Sequence, residues 1–147
     1  MVQKVIDLET KERLTYISLF SSAGVGCFGF KKQGFKCIAT NELVERRIAV
    51  QIANNKCDSY SGYICGSLKE SSVKQRIYEE LKKEKIEDLD VLIATPPCQG
   101  MSVANHKKND GDKERNSLVV ESINMVIKIK PKIFIFENVP AFMKTIC

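Results

Sequence analysis

An α/β fold built on a doubly wound, mostly parallel sheet is what this sequence predicts, and three observations carry the reading. Short runs rich in β-branched and aromatic residues alternate with longer amphipathic stretches in a βαβα order. The stretches between runs are long enough for the crossover helices that parallel strands require. Polar residues able to do chemistry follow directly after the apolar runs, at the carboxyl ends of the strands, where sheets of this kind bind their ligands.

Taken in chain order, residues 1–13 are charged and weakly patterned and read as an N-terminal extension, with the domain over 14–147. Strands are expected near 15–20, 36–40, 61–65, 89–94 and 132–136. Helices are expected over 25–33, 43–54, 71–85 and 115–129. In the last of these Leu118, Val119, Ile123, Val126 and Ile127 recur at helical spacing before Pro131 breaks the pattern. The polar stretch Asn105 to Asn116, with Lys107, Lys108, Gly111 and Lys113, reads as a substrate-facing loop, although most charged loops are simply solvated. Ile133, Phe134, Ile135 and Phe136 form an uninterrupted apolar run, the pattern of a strand buried on both faces.

Composition limits the classes of function. The 147 residues suit one domain with a real core, and 23 Lys+Arg against 18 Asp+Glu give a formal charge of +5. That balance suits nucleic acid without demonstrating it, since a lysine-rich solvated surface has the same composition. The six cysteines form no CxxC pair, and the chain start lacks the basic and apolar regions of a secretory signal, so a reduced, intracellular, cytoplasmic protein is expected, associated with the nucleoid in a prokaryote. No run approaches the roughly 18 apolar residues of a membrane helix.

The motifs sit at strand ends. Phe20, Ser21, Ser22, Ala23, Gly24, Val25 and Gly26 follow the first strand, where small residues permit a tight turn and a close backbone approach to a ligand; plain turn chemistry has the same signature. After the second strand, Glu42 stands 18 residues beyond Gly24, close to the roughly 20-residue interval of an acid that accepts ribose hydroxyls. A helix N-terminal acid is the competing reading. Cys98 follows Pro96 and Pro97, which end the fourth strand and stiffen the turn, and can be a packing residue, a metal ligand or a nucleophile. Metal is the weakest of these, because His106 is the one histidine and no cysteine cluster matches it, so none is expected. Gln99, Gly100, Met101 and Ser102 do not continue a core pattern, and the loop placement favours a working thiol. Glu137 ends the last apolar run, where burial would raise its pKa toward a useful acid; a strand-end cap is the bland alternative. Asn138 is suited to bracing the loop through side-chain to backbone bonds.

Together these residues resemble the C5-cytosine DNA methyltransferases. The Phe20 to Gly26 loop is similar to that family's cofactor motif, Asn41-Glu42 to its ribose-binding acid, Pro97-Cys98-Gln99 to its catalytic motif and Glu137-Asn138-Val139 to its Glu-Asn-Val motif. Arg115, Asn116, Ser117 and Leu118 are similar to the stretch that opens its last helix, and the likeness covers roughly 14–142. The resemblance implies a Rossmann-like methyltransferase fold binding S-adenosylmethionine, with Phe20, Ser21, Ser22, Ala23, Gly24, Glu42, Leu43, Ser67, Leu68 and Pro96 around the cofactor. It implies Cys98 and Glu137 as the catalytic pair acting on a cytosine rotated out of DNA. Ser22 and Val25 stand where the family usually has glycine, Ser18 where it has an acid, and Ser67 where it has an aspartate. The family's later motifs, its target-recognition region and its closing helix are not in these residues, so the expectation is an incomplete domain: the first half of such an enzyme, as a truncated piece or one part of a split enzyme completed by another chain. An open edge at Ile133 to Phe136 would then invite self-association. The alternatives are a tRNA cytosine methyltransferase of the same family and a noncatalytic module that binds adenosylmethionine or a partner.

Overall fold

The structure, a computed structural model, describes residues 13–97 and 110–138, the side chains of 110–116 excepted. Five strands form one sheet: β1 (Thr15–Leu19), β2 (Lys36–Glu42), β3 (Tyr63–Cys65), β4 (Val91–Ala94) and β5 (Ile133–Phe136). All pairings are parallel and the order is β3-β2-β1-β4-β5, so the chain steps one way from β1 to β3 and then crosses back to β4 and β5. The reversal puts the topological switch between β1 and β4, and the crevice beyond their carboxyl ends is where ligands of doubly wound sheets bind.

Right-handed crossovers turn that reversal into two helix layers. Helices α1 (Phe28–Lys32) and α2 (Glu45–Ala53) lie on one face, α3 (Ser71–Lys83) and α4 (Asp110–Ile129) on the other. Period-two alternation along the strands feeds both layers. Tyr16, Cys37, Val91 and Ile93 pack with Ile48 of α2 and with Phe30, while Ile17, Leu19, Ile38, Ile64 and Leu92 pack with Val73 and Ile77 of α3 and Met125 of α4. Ile77 is fully buried in that second cluster, and truncating such a side chain to Ala typically costs about 2–5 kcal/mol. Among the described residues no helix is long and apolar enough to cross a membrane.

Three expectations need correction. The first helix divides: a 3-10 turn over Val25–Cys27 opens after Gly24 at φ 88°, and Cys27 at φ −104°, ψ 4° departs from helical geometry before α1. The helix expected from 115 begins at Asp110, so 110–116 is helical and not loop, while 105–109 lie outside the described residues. Its first turns are charged and carry no apolar period to betray them. The run expected to be buried on both faces is instead the terminal strand in the sheet order: Ile133 is 56% and Phe134 and Ile135 each 37% exposed. Only Phe136 packs back against the α3–α4 side.

Candidate functional site

The site is assembled from the ends of the parallel strands. β1 runs into Phe20 and Ser22, both in the left-handed region at φ 55° and 50°, an uncommon conformation for residues with a Cβ. Surrounding bonds fix it. The Ser21 N–H donates to the Asn41 carbonyl (2.9 Å), the Gly24 N–H to the Ser21 carbonyl (2.9 Å), and the Thr95 hydroxyl to the Phe20 carbonyl (2.9 Å). Ser18, inside β1, is buried with its hydroxyl 3.1 Å from the Cys27 thiol.

Glu42, at the end of β2, is 5% exposed and its carboxylate ties two segments together. Oε2 accepts from the Ser22 N–H at 2.8 Å, and Oε1 accepts from the Val44 N–H at 3.0 Å and the Arg47 guanidinium at 3.3 Å. The acid therefore holds the loop after β1 against the loop after β2. Oε1 is filled by its two donors, whereas Oε2 has a further lone pair for an outside donor. Asn41, beside it, donates to the carbonyls of Ile64 (3.1 Å) and Gly66 (3.0 Å), which positions the end of β3. Gly66 is required there: φ is 140°, and a Cβ would meet Val73 Cγ2 at 2.6 Å. Ser67 closes its own loop, its hydroxyl accepting from the Lys69 N–H at 3.3 Å and its carbonyl from the Glu70 N–H at 3.0 Å.

On the other side of the switch point, the Glu137 N–H donates to the Ala94 carbonyl at 3.1 Å, which sets the Glu137 side chain beside the turn after β4. Glu137 is exposed rather than buried, as is most of the strand that leads to it, so the burial expected at this strand end is not found.

A cavity of about 390 Å³ results, lined by Phe20, Ser22, Glu42, Ser67, Pro96 and Glu137 among others. Leu43 and Leu68 also border it, so eight of the twelve expected site residues meet in one space. Ser21 is buried beneath the loop against Thr40 and Gln51. Ala23 and Gly24 border a separate recess of about 250 Å³ with Gln51 and Lys56. Cys98, with Gln99 and Val139, lies outside the described residues, but its neighbour Pro97 lines the larger cavity. Arg47 and Val44 line it too and were not singled out from the sequence. For Arg47 a signal existed, since an arginine five residues past a strand-end acid can fold back on it from the first turn of a helix. Chemically the cavity presents two carboxylates, one guanidinium and an apolar wall.

Comparison with known proteins bears on what such a cavity serves. The family described as C-5 cytosine-specific DNA methylase matches residues 14–145. The Type II methyltransferase M1.HgaI of Avibacterium volantium is 34% identical over 138 residues, covering 91% of this chain and 37% of that protein. M1.HphI of Haemophilus parahaemolyticus is 32% identical, covering 86% and 32% respectively. A solved structure of a DNA modification methyltransferase encoded within an E. coli prophage superposes with a TM-score of 0.64 at 25% identity, over 88% of this chain and 33% of that one. The chain spans about a third of the length of these relatives.

Proposed function

The chain belongs to the C-5 cytosine-specific DNA methylases, and on that premise we propose that it supplies the cofactor-binding and catalytic part of a DNA cytosine-5 methyltransferase that uses S-adenosylmethionine. One observation carries the proposal: Glu42 and Glu137, from strands on opposite sides of the switch point, line one cavity together with Pro97, the residue before Cys98.

The donor set fits the cofactor. A buried carboxylate with a free lone pair on Oε2 suits a ribose hydroxyl, and the apolar wall of Phe20, Leu68 and Pro96 suits a purine. About 390 Å³ lies in the range of small-molecule sites, roughly 300–1,000 Å³. When bound, the cofactor supplies an electrophilic methyl group on a sulfonium sulfur. Cys98, as thiolate, adds to C6 of an extruded cytosine, and the electron pair it displaces makes C5 nucleophilic toward that methyl. Glu137 holds N3 and the exocyclic amine, supplying a proton or hydrogen bond as negative charge develops on the ring. Water then takes the C5 proton, and the electron pair left behind re-forms the C5–C6 double bond and expels Cys98 as thiolate.

DNA is the substrate in this reading, and the protein works inside the cell. The outer edge of β5, which pairs with no further strand among the described residues, is where the remainder of the catalytic domain attaches, in the same chain or a complementing one; when that segment is lacking, a second copy pairs there. The test is titration calorimetry of this chain with S-adenosylmethionine. Saturable one-to-one binding is expected, and the absence of heat at millimolar cofactor would remove the reading. No observation favours the RNA or noncatalytic alternatives.

A further inference from the structure

Beneath the loop that carries Ser22, α2 turns a polar side chain into the core. Gln51 is fully buried on the same stripe as Ile48, and an amide at such a depth must satisfy every polar atom. Its Oε1 accepts from the Thr40 hydroxyl at 2.7 Å, which in turn accepts from Lys56 Nζ at 2.9 Å. Its two amide protons go to Ser21 Oγ at 2.9 Å and the Ser22 carbonyl at 2.5 Å. Gly24 rests directly on it: a Cβ there would meet Gln51 Cγ at 3.2 Å.

Ser22 is thus held from both sides. Its N–H is taken by Glu42 and its carbonyl by Gln51, while its backbone stays at φ 50°. For a residue with a Cβ that conformation is costly, and it persists only where neighbours over-determine it. Of the two clamps, Glu42 also faces the cavity, whereas Gln51 does not line it. We propose that Gln51 is a positioning residue for cofactor binding: its amide pins the Ser22 carbonyl and so keeps the Ser22 N–H and the Glu42 carboxylate in binding geometry, a task that glycine at position 22 would make unnecessary. The inference rests on the assignment of the cavity to S-adenosylmethionine.

A mutant cycle tests it. Gln51→Met keeps the length and removes both donors; Gln51→Glu keeps the acceptor for Thr40, with Lys56 sharing that hydroxyl, and removes the donors to Ser21 Oγ and the Ser22 carbonyl, so it stands in should the methionine variant not fold. Each is made with Ser22 and with Ser22→Gly, and read by S-adenosylmethionine calorimetry and by hydrogen exchange at the residue-22 amide without cofactor. With serine at 22, loss of the amide weakens binding about tenfold and speeds exchange about as much. With glycine at 22 both effects fall below about threefold, because glycine adopts φ near 50° unaided. Equal losses in the two backgrounds would overturn the proposal and leave Gln51 as ordinary core. If the exchange cycle behaves as stated while no variant, wild type included, binds S-adenosylmethionine, Gln51 pins Ser22 as argued and it is the cofactor assignment that fails.

Discussion

Replacing Glu42 by Gln separates two roles that one carboxylate performs. In the folded chain its oxygens accept from two backbone N–H groups, Ser22 at 2.8 Å and Val44 at 3.0 Å, on opposite oxygens. A glutamine amide has one acceptor oxygen, so whichever way it is turned, its NH₂ faces one of those donors. One N–H at a nearly buried site is then left unsatisfied, at a cost of about 1–3 kcal/mol in stability, readable as a lower urea midpoint with an unchanged slope. The second role is toward the cofactor, one of whose ribose hydroxyls takes the remaining acceptor site, on Oε2. Losing one charge-assisted bond of about 1.5–3 kcal/mol weakens binding roughly 10- to 100-fold. Calorimetry with S-adenosylmethionine, at a urea-free temperature where both proteins are fully folded, gives the ratio. Reduced stability with unchanged affinity would refute the assignment, since Glu42 would then be only a brace between two loops.

Three further outcomes follow from the same geometry. In the complete enzyme, Glu137→Gln lowers turnover by roughly 10²–10⁴ with the circular dichroism spectrum unchanged; normal turnover would remove Glu137 from the chemistry. Asp90, at the amino end of β4, accepts from Lys132 at 2.8 Å and from the Thr15 N–H at 2.8 Å, and these donors, Lys132 foremost, hold its carboxyl below the usual carboxylate range. Its contribution is therefore complete above the unfolded value of roughly 4 and is lost as pH falls through the lower folded value, so acid titrations of stability should be flatter for Asp90→Asn than for wild type in that window. The exposed β5 edge predicts reversible self-association in a sedimentation dilution series, weakened roughly tenfold or more by Ile135→Lys; a wild-type chain that is monomeric throughout would contradict it.

What the sequence disclosed and what it hid have physical causes. All five strands were legible, with ends displaced by no more than two residues, because alternation and β-branched runs are local signals. The strand-end positions of Phe20, Glu42 and Glu137 were legible too, since strand and turn together define position in a parallel sheet. The fate of the Ile133 to Phe136 run was not: four apolar residues read the same in a central strand and in a terminal one, and only the sheet order decides which faces are covered. Glu137 inherited that misreading. The charged start of α4 was invisible because Asp110 to Glu114 contribute no apolar period. Gln51 was overlooked for the opposite reason, as one amide in an amphipathic helix resembles surface, although its place three residues after Ile48 and one before Ile52 put it on the inward stripe.

The covalent step is tested most directly by trapping. Duplex DNA carrying 5-fluorocytosine at the target position, given to the complete enzyme with S-adenosylmethionine, has no C5 proton to lose, so Cys98 cannot be expelled after methyl transfer. A protein–DNA adduct that survives denaturation, and that disappears in Cys98→Ala, is the expected result. An adduct that persists in Cys98→Ala, or none from a wild-type enzyme that demonstrably methylates ordinary cytosine, would contradict the assignment of Cys98 as the nucleophile.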